Sequence, residues 1–499
     1  MTVPQEQEKW SGPAPQDREM ARSTIEQEWD DPAPQDREKT HSTIAQVECS
    51  GPALQDRATR KRFTTSDVPL DREISKPTTD CETMVHVLKG NLGTGLLAMP
   101  EAFKNSGLWV GLAGVPILGL ICIHCMQILL KSSRALCRRA GVTALSYEQT
   151  VKMAFQLGPE GARRWCRPLV LTTVTFLVLT QVGFCCVYFV FIPQNIWQAV
   201  ECITPGGTGI TTLGYMSITI IPILLLCYIP DLKYLVPLSV VAGMVQMIAL
   251  IIIFYYVLRD LPQVQEQVPA WAGWSSLPLY FGSTIFAFEG IGLVLPLENN
   301  MKTPASFGGV SGVLSTAMMI VICLYASVGF FGYMQYGSTI EGSITLNLPA
   351  SEPLALAVKI LMALSVYLTY PLQMYVPIQI LTPTVTSRFE SKRSKMVAEY
   401  VLRTTLVLLT FLLAAAIPNI GLFISLVGAL SSSTLALILP PIVEIVTFWP
   451  DNGRYNWVVV KGVLITLFGL LGFVTGTATS IQAIIAYFTH GQPQPALQC

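Results

Sequence analysis

The sequence has little charge for its length. Only 13% of its 499 residues are charged, whereas a soluble globular protein carries roughly 25%. With 32 basic and 32 acidic residues the formal net charge is zero, so the balance gives no indication of a nucleic-acid partner. The 12 cysteines are too few for a disulfide scaffold. Apolar residues are abundant, at 51%, and together with a mean hydropathy of +0.50 they predict a polytopic membrane protein.

The net charge of zero conceals two unlike parts of the chain. Residues 1–83 hold 11 basic and 17 acidic residues, a charge of −6, and the remaining residues hold 21 and 15, a charge of +6. The first part lacks any long apolar run, so we expect a disordered tail. Residues 84–488 are predicted to form the transmembrane domain, and residues 489–499 a short C-terminal segment.

A short repeat runs through the predicted tail. Pro13–Glu19 recurs as Pro32–Glu38, and Pro52–Arg57 is a decayed third copy. Each copy has about one aliphatic residue, so stacked copies could not bury a core. The composition therefore favours a solvated low-complexity segment, with a short motif that binds a cytosolic protein partner as the alternative.

Eleven apolar segments are long enough to be membrane spans, which need about 20 mostly apolar residues each. They centre on residues 84–106, 108–130, 168–194, 213–230, 235–258, 277–298, 308–334, 353–381, 401–417, 420–447 and 458–488. The chain is therefore predicted to be an all-α polytopic membrane protein.

Basic residues in the loops predict how the spans are oriented. Loops 131–167 and 382–403 follow even-numbered spans and carry thirteen Lys or Arg residues between them, whereas the loops after odd-numbered spans carry only Arg259. Because basic loops stay in the cytosol, we expect a cytosolic N-terminus and an extracellular or lumenal C-terminus. The excess charge could also meet anionic membrane lipids.

Two of the spans contain residues that interrupt a helix. The first has Gly90, Gly93, Gly95 and Pro100 near its middle, and each glycine costs a helix about 1 kcal/mol relative to alanine. The sixth contains Phe286–Gly292, with two glycines and a glutamate at mid-depth. Glycine-interrupted spans at corresponding positions of two halves are typical of transporters built from inverted repeats. The pattern resembles the leucine-transporter fold, an inverted repeat of five plus five helices with helices 1 and 6 broken.

Helix breaks of this kind suit a zwitterionic ligand. The N-terminus of a half-helix offers N–H donors to a carboxylate, and the C-terminus of another offers carbonyls to an ammonium. We predict that the carboxylate binds at Gly93, Thr94 and Gly95 and the ammonium near Phe286–Phe288. The predicted substrate-binding residues are Asn91, Gly93, Thr94, Gly95, Tyr188, Phe286, Ala287, Phe288, Gly290 and Tyr367. Glycines that only permit close helix packing are the alternative.

Ionisable residues inside spans are expensive and usually functional. Glu289 adjoins the second break and His86 precedes the first, so both are candidate proton-coupling groups. The alternatives are a hydrogen-bonded packing role for His86 and a structural lock for Glu289. Glu298 and Glu444 lie near the predicted cytosolic ends and are expected to be gate or anchor residues. No catalytic or metal-binding constellation is apparent, so we expect neither an enzyme nor a cofactor other than the coupling proton.

Several segments resemble a known family. His86–Leu97 resembles the first-helix signature of the proton-coupled amino acid transporters, in the amino acid/auxin permease group, and Ile285–Asn299 resembles their sixth helix. Gly342–Pro349 and Ile424–Ser433 are similar to later family segments. The likeness covers about residues 84–488 and is greatest to insect members.

The resemblance implies eleven helices, a cytosolic N-terminus and symport of protons with small neutral amino acids. It also implies residence in the plasma membrane or the lysosomal membrane, and a proton-coupling role for His86. One departure stands out. The family pairs a cysteine after span three with one that follows the Asn-Leu-Pro motif, but here Ala350 follows Pro349, so Cys202 lacks that partner.

Two other functions stay open at this point. The chain could exchange amino acids without ion coupling, or it could be a low-flux amino acid sensor that signals through its cytosolic tail. The amino acid carried is not fixed by the sequence.

Overall fold

Helices make up nearly all of the part of the chain that the structure describes. The computed structural model describes residues 77–204, 207–229, 232–259, 268–451 and 453–489. The tail repeat and the segment after Thr489 lie outside these residues, as do the predictions made for them.

The described α-helices are numbered here in chain order. They are α1 (Asp80–Asn91), α2 (Thr94–Leu97), α3 (Met99–Ser106), α4 (Leu108–Ala140), α5 (Tyr147–Leu157), α6 (Glu160–Arg163), α7 (Cys166–Ile203), α8 (Thr212–Cys227), α9 (Leu232–Arg259), α10 (Leu277–Ala287), α11 (Ile291–Asn299), α12 (Val313–Tyr336), α13 (Pro353–Thr386), α14 (Lys392–Ala416), α15 (Ile420–Val427), α16 (Leu439–Phe448) and α17 (Trp457–Thr489).

Within the described ranges, nine helices are long and apolar enough to cross a membrane, counting Leu277–Asn299 and Ile420–Phe448 as one each. Two predicted spans differ from the rest. Helix α8 is apolar but has only 16 residues, and the first span is divided into α1, α2 and α3. A straight helix needs about 20 apolar residues to cross a bilayer, so the count of eleven spans stays a prediction.

Both predicted breaks are present. Thr79 caps the start of α1 through a capping box with Glu82, and the helix ends at Asn91. Gly93 is extended (φ −125°, ψ −152°) before α2 begins. In the sixth span α10 ends at Ala287, three residues leave the helical path, and α11 begins at Ile291.

A third irregular helix was not predicted. Residues Gly428–Ser432 and Thr434–Ile438, between α15 and α16, have π-helical hydrogen bonding, which frequently occurs at functional sites. This π-helical segment packs on α10, and an added Cβ at Gly428 would overlap the carbonyl of Gly282. The close approach explains the glycine at position 428. An added Cβ at Gly282 would in turn overlap the carbonyl of Ser425.

Two groups of helices pack against each other around the breaks. Helix α13 packs along α7 and α9, and α12 packs on α1, α3 and α4. Helix α10 contacts α3 on one side and α15 with the π-helical segment on the other. The broken spans are therefore enclosed by unbroken helices.

We call the face where α1 begins the basic face. There Arg134 at the end of α4 lies 2.6 Å from the carboxylate of Glu298, which is only 2% exposed. Glu444 of α16 is equally buried and lies 2.9 Å from Lys461 of α17 and 3.8 Å from Lys131. The sequence predicted a gate or anchor residue at each position, and these ion pairs link each glutamate to a neighbouring helix.

A short loop follows α11 on the basic face and is hydrogen-bonded to the residues at the start of α1. The backbone N–H of Thr78 donates to Asn300 at 2.8 Å, and that of Lys302 donates back to Thr78 at 2.9 Å. The carboxylate of Asp80 accepts hydrogen bonds from Thr303 and from Ser306, the latter at 2.9 Å. We call residues 300–306, which hold the start of α1 next to the end of α11, the connecting loop.

The opposite face, where α7 ends, has its own polar contacts. Lys359 of α13 is 1% exposed, and its ammonium donates to the amide oxygen of Gln198 at 2.6 Å. Glu352 accepts from the hydroxyl of Tyr256 at 2.7 Å and from Arg259 at 3.0 Å. The Tyr256 hydroxyl, with a smaller contribution from Arg259, lowers the pKa of Glu352 from its ordinary value.

Cys202 forms a disulfide bond in the structure. The sequence had shown only that the family's usual partner is absent and had left open whether Cys202 is bonded. The nine other cysteines in the described ranges are not disulfide-bonded.

Candidate functional site

A cavity of about 50 Å³ lies where the two breaks meet. This is several times the roughly 10–15 Å³ that one water molecule needs. The lining residues come from both broken spans and from the unbroken helices around them. They are Gly90, Asn91, Gly93, Thr94, Gly95, Leu177, Thr180, Gln181, Phe184, Tyr188, Phe286, Ala287, Glu289, Gly292, Leu293, Gln373 and Leu435.

Eight of the predicted site residues line this cavity. Four belong to the first break, three to the second, and one to α7. They are Asn91, Gly93, Thr94, Gly95, Phe286, Ala287, Glu289 and Tyr188. The glycine pattern therefore located the cavity as well as the breaks.

Phe288 and Gly290 do not line it. Phe288 is fully buried behind the break, with its ring 5.0 Å from that of Tyr325. Gly290 lies against Asn91, whose Oδ1 would be 2.9 Å from an added Cβ, and lines a separate cavity of about 10 Å³. Both residues shape the second break from the side away from the main cavity.

Tyr367 and His86 are also away from it. The hydroxyl of Tyr367 donates to the carbonyl of Pro222 at 3.1 Å, so this residue packs α13 against α8. His86 is exposed on α1, four residues before Gly90, and it does not line the cavity. Helical periodicity alone had not shown which way either side chain points.

The two glycines at the first break have different roles. A Cβ added at Gly95 would lie 2.7 Å from the Cα of Ala287, so this glycine lets the two broken spans touch. A Cβ added at Gly93 would meet no atom within 4 Å. Gly93 therefore borders open space in the cavity.

The start of α2 offers backbone N–H donors. In a helix the first N–H groups have no acceptor in the preceding turn, and here these belong to Thr94 and Gly95. Gly93 at the N-cap supplies no side-chain hydrogen bond. A carboxylate site at these N–H groups stays a prediction.

Most of the unpaired polar atoms around the cavity are acceptors. Within the described ranges, four buried oxygens of its lining have no hydrogen-bond partner: Asn91 Oδ1, Thr180 Oγ1, Gln181 Oε1 and Glu289 Oε2. Buried polar atoms without partners are unfavourable by about 1–3 kcal/mol each. A ligand that carries several N–H donors would relieve that penalty.

The carbonyl groups at the breaks are largely in use. The carbonyl of Phe286 accepts from the N–H of Glu289, and that of Phe288 accepts from the N–H of Gly290 at 2.8 Å. The hydroxyl of Tyr325 on α12 contacts the carbonyl of Asn91 and, at 2.7 Å, that of Ala287. Side-chain oxygens are thus better placed than these carbonyls to receive an ammonium.

An aromatic wall bounds the cavity on one side. The ring of Phe184 meets that of Phe286 edge to face at 4.6 Å, and Tyr188 lies one turn further along α7. The hydroxyl of Tyr188 is 3.5 Å from the amide nitrogen of Gln373. This wall would face the side chain of a ligand held at the breaks.

The cavity lies closer to the basic face. Its lining extends in that direction through Gly90 and Leu293, and along the first half of α7 to Leu177. Towards the opposite face, Glu101 of α3 reaches Gly421 at the start of α15, where any side chain would overlap its carboxylate. The structure is therefore more tightly packed on the opposite side of the site.

Sequence reasoning missed the polar residues on unbroken helices. Thr180, Gln181, Gln373 and Tyr325 sit in long apolar helices that are continuous at these positions. The available signal was the polarity of these side chains. A glutamine, like a charged residue, is unfavourable inside a membrane span and is therefore rare there.

These features are those of a membrane protein of the leucine-transporter-like fold, with a candidate site at two broken helices. Residues 76–484 match the model of the transmembrane amino acid transporter protein family, and the chain belongs to that family. It is an amino acid transporter and a multi-pass integral membrane protein.

Two relatives agree with this assignment. The proton-coupled amino acid transporter-like protein pathetic of Drosophila melanogaster is 41% identical over 84% of this chain and 88% of its own length. The probable amino acid transporter skat-1 of Caenorhabditis elegans is 27% identical over 84% of this chain and 92% of its own length. Both are named as transporters, in agreement with the prediction that the chain is not an enzyme.

Solved structures show a likeness in fold alone. A Na⁺-coupled sialic acid symporter in a substrate-bound outward-open state superposes with a TM-score of 0.50 at 11% identity, over 84% of this chain and 91% of that one. The inward-facing conformation of Mhp1 gives a TM-score of 0.48 at 14% identity, over 85% and 95%.

Proposed function

We propose that this protein is a symporter that moves protons together with small neutral amino acids by alternating access. The observation that carries the proposal is the cavity at the two breaks, where N–H donors stand at one end and unpaired acceptors, including a carboxylate, line the walls. The name of the Drosophila relative supports the coupling to protons.

The polar groups suggest how a zwitterion would bind. Its carboxylate would accept from the N–H groups of Thr94 and Gly95. Its ammonium would donate to the side-chain oxygens of Asn91, Gln181 and Glu289, which lack other partners. Phe286 closes one side of the cavity, and the small volume of the cavity favours amino acids with small side chains.

Glu289 is the group that we propose for binding the coupled proton. Its carboxylate borders the cavity, and one of its oxygens has no hydrogen-bond partner within the described ranges. Ser432 of the π-helical segment is the polar side chain next to it. His86, exposed on α1 towards the basic face, is proposed as the second proton-handling group.

Uptake measured against external pH tests the coupling. Lowering the outside pH from about 7.5 to about 5.5 should raise amino acid uptake several-fold in expressing cells, because a carboxylate near the site must be protonated before each inward step. The measurement is initial uptake of radiolabelled glycine or alanine. Intact uptake with a flat pH response would instead indicate an uncoupled exchanger. His86→Gln should alter the shape of the same curve.

We also propose that the basic face is cytosolic, in the plasma membrane or the lysosomal membrane. Helix α17 begins near Glu444 on the basic face and, with 33 residues, ends on the opposite face. Helix α7 ends on that face as well, next to Cys202. Disulfides persist on the non-cytosolic side of a membrane, which agrees with this orientation.

A further inference from the structure

Tyr325 connects the two broken spans through one side chain. It lies on α12, which is unbroken, and it is fully buried. Its hydroxyl contacts the carbonyl of Asn91, at the end of α1, and the carbonyl of Ala287, at the end of α10. A single side chain, that of Tyr325, is therefore hydrogen-bonded to both breaks.

Both carbonyls lie at helix ends. That of Asn91 also accepts from the N–H of Gly93 at 2.9 Å, and that of Ala287 accepts from the hydroxyl of Tyr325 at 2.7 Å. A helix that ends inside a membrane leaves carbonyl groups without intrahelical partners, and no bulk water is present to satisfy them. Gln246 of α9 donates to the neighbouring carbonyl of Leu92. That bond serves the first break only, so it cannot fix the distance between the two breaks.

The position of Tyr325 is itself well determined. Its ring packs against that of Phe288 with the centroids 5.0 Å apart, and Phe288 is one of the three residues that form the second break. A shift of the second break would therefore move both the carbonyl that the hydroxyl contacts and the ring that supports it.

We propose that Tyr325 is a positioning residue for substrate binding. Its hydroxyl holds the end of α1, three residues before the proposed carboxylate site, next to the end of α10 at the second break. The inference rests on the proposed function, since it assumes that one substrate contacts both breaks. Tyr325 does not itself line the cavity, so it would act on substrate binding through the two breaks.

Tyr325→Phe tests this proposal because it removes only the hydroxyl. We expect the KM for amino acid uptake to rise about tenfold, with a smaller change in maximal rate and a pH profile of unchanged shape. Tyr333→Phe is the matched control, since Tyr333 is a buried tyrosine two turns further along α12. It should keep the wild-type KM. Surface biotinylation gives the amount of each variant.

Each outcome decides the proposal. A raised KM in Tyr325→Phe alone supports it, whereas a wild-type KM, or an equal rise in both variants, overturns it. If Tyr325→Phe does not reach the surface, Phe288→Leu keeps the hydroxyl but removes its supporting ring, and KM should rise in that variant but not in Tyr333→Phe. Equal KM values in Phe288→Leu and Tyr333→Phe would also overturn the proposal. A flat wild-type pH curve would refute proton coupling while leaving the KM comparison valid.

Discussion

Glu289→Gln is expected to abolish proton-driven accumulation while the transporter remains at the cell surface. In a symporter that moves one proton per substrate, a gradient of two pH units supplies about 2.7 kcal/mol, enough for an accumulation of about a hundredfold. Glutamine has the shape of a protonated glutamate but cannot release a proton. The accumulation ratio of the variant should therefore fall close to one. It is measured as the steady-state ratio of labelled substrate in vesicles.

Exchange without a gradient separates loss of coupling from loss of binding. Because glutamine keeps the size of the side chain at the cavity, Glu289→Gln should still exchange labelled for unlabelled substrate. Glu352→Gln is the matched control, since Glu352 lies on the opposite face against Tyr256 and Arg259. It should accumulate substrate normally. Normal accumulation by Glu289→Gln would remove Glu289 from the coupling step.

Gly93→Val is expected to eliminate substrate binding without disturbing the fold. Gly93 is extended, a conformation that valine adopts readily, and its Cβ would meet no protein atom. The added carbons would occupy part of a cavity of about 50 Å³, in the place proposed for the carboxylate. Binding of labelled substrate to the purified protein should weaken by more than about a hundredfold, which corresponds to about 2.7 kcal/mol.

Two other glycines serve as comparisons. Gly161→Val places the same side chain in open space on α6, away from the cavity, and should bind substrate normally. Gly95→Ala would press its Cβ against Ala287, so we expect lower surface abundance rather than a selective loss of binding. Unchanged affinity in Gly93→Val would count against a carboxylate site at the start of α2.

The broken spans could be predicted because their signals are local. Three glycines within six residues destabilise a helix whatever surrounds it, and this located Gly93 and Gly95 correctly. The same reasoning placed Glu289 at the cavity, because it adjoins the second break.

The misplaced residues depended on tertiary packing. Tyr367 was expected in the pocket, but rotation of α13 about its axis directs its hydroxyl to Pro222. Gln181 and Tyr325 were missed because each lies in a regular apolar helix whose orientation the sequence does not encode locally. The bond of Cys202 could not be assigned from spacing either, since its usual family partner is absent here.

The connecting loop has a mechanical consequence. Because Thr78 and Asp80 bind residues 300–306, and Arg134 bonds both to Glu298 and to the carbonyl of Pro304, the half-helices α1 and α11 cannot swing independently. Arg134 belongs to α4, so the connecting loop also joins both half-helices to that unbroken helix. We therefore expect a substitution at the end of either half-helix to disturb the other half-helix as well.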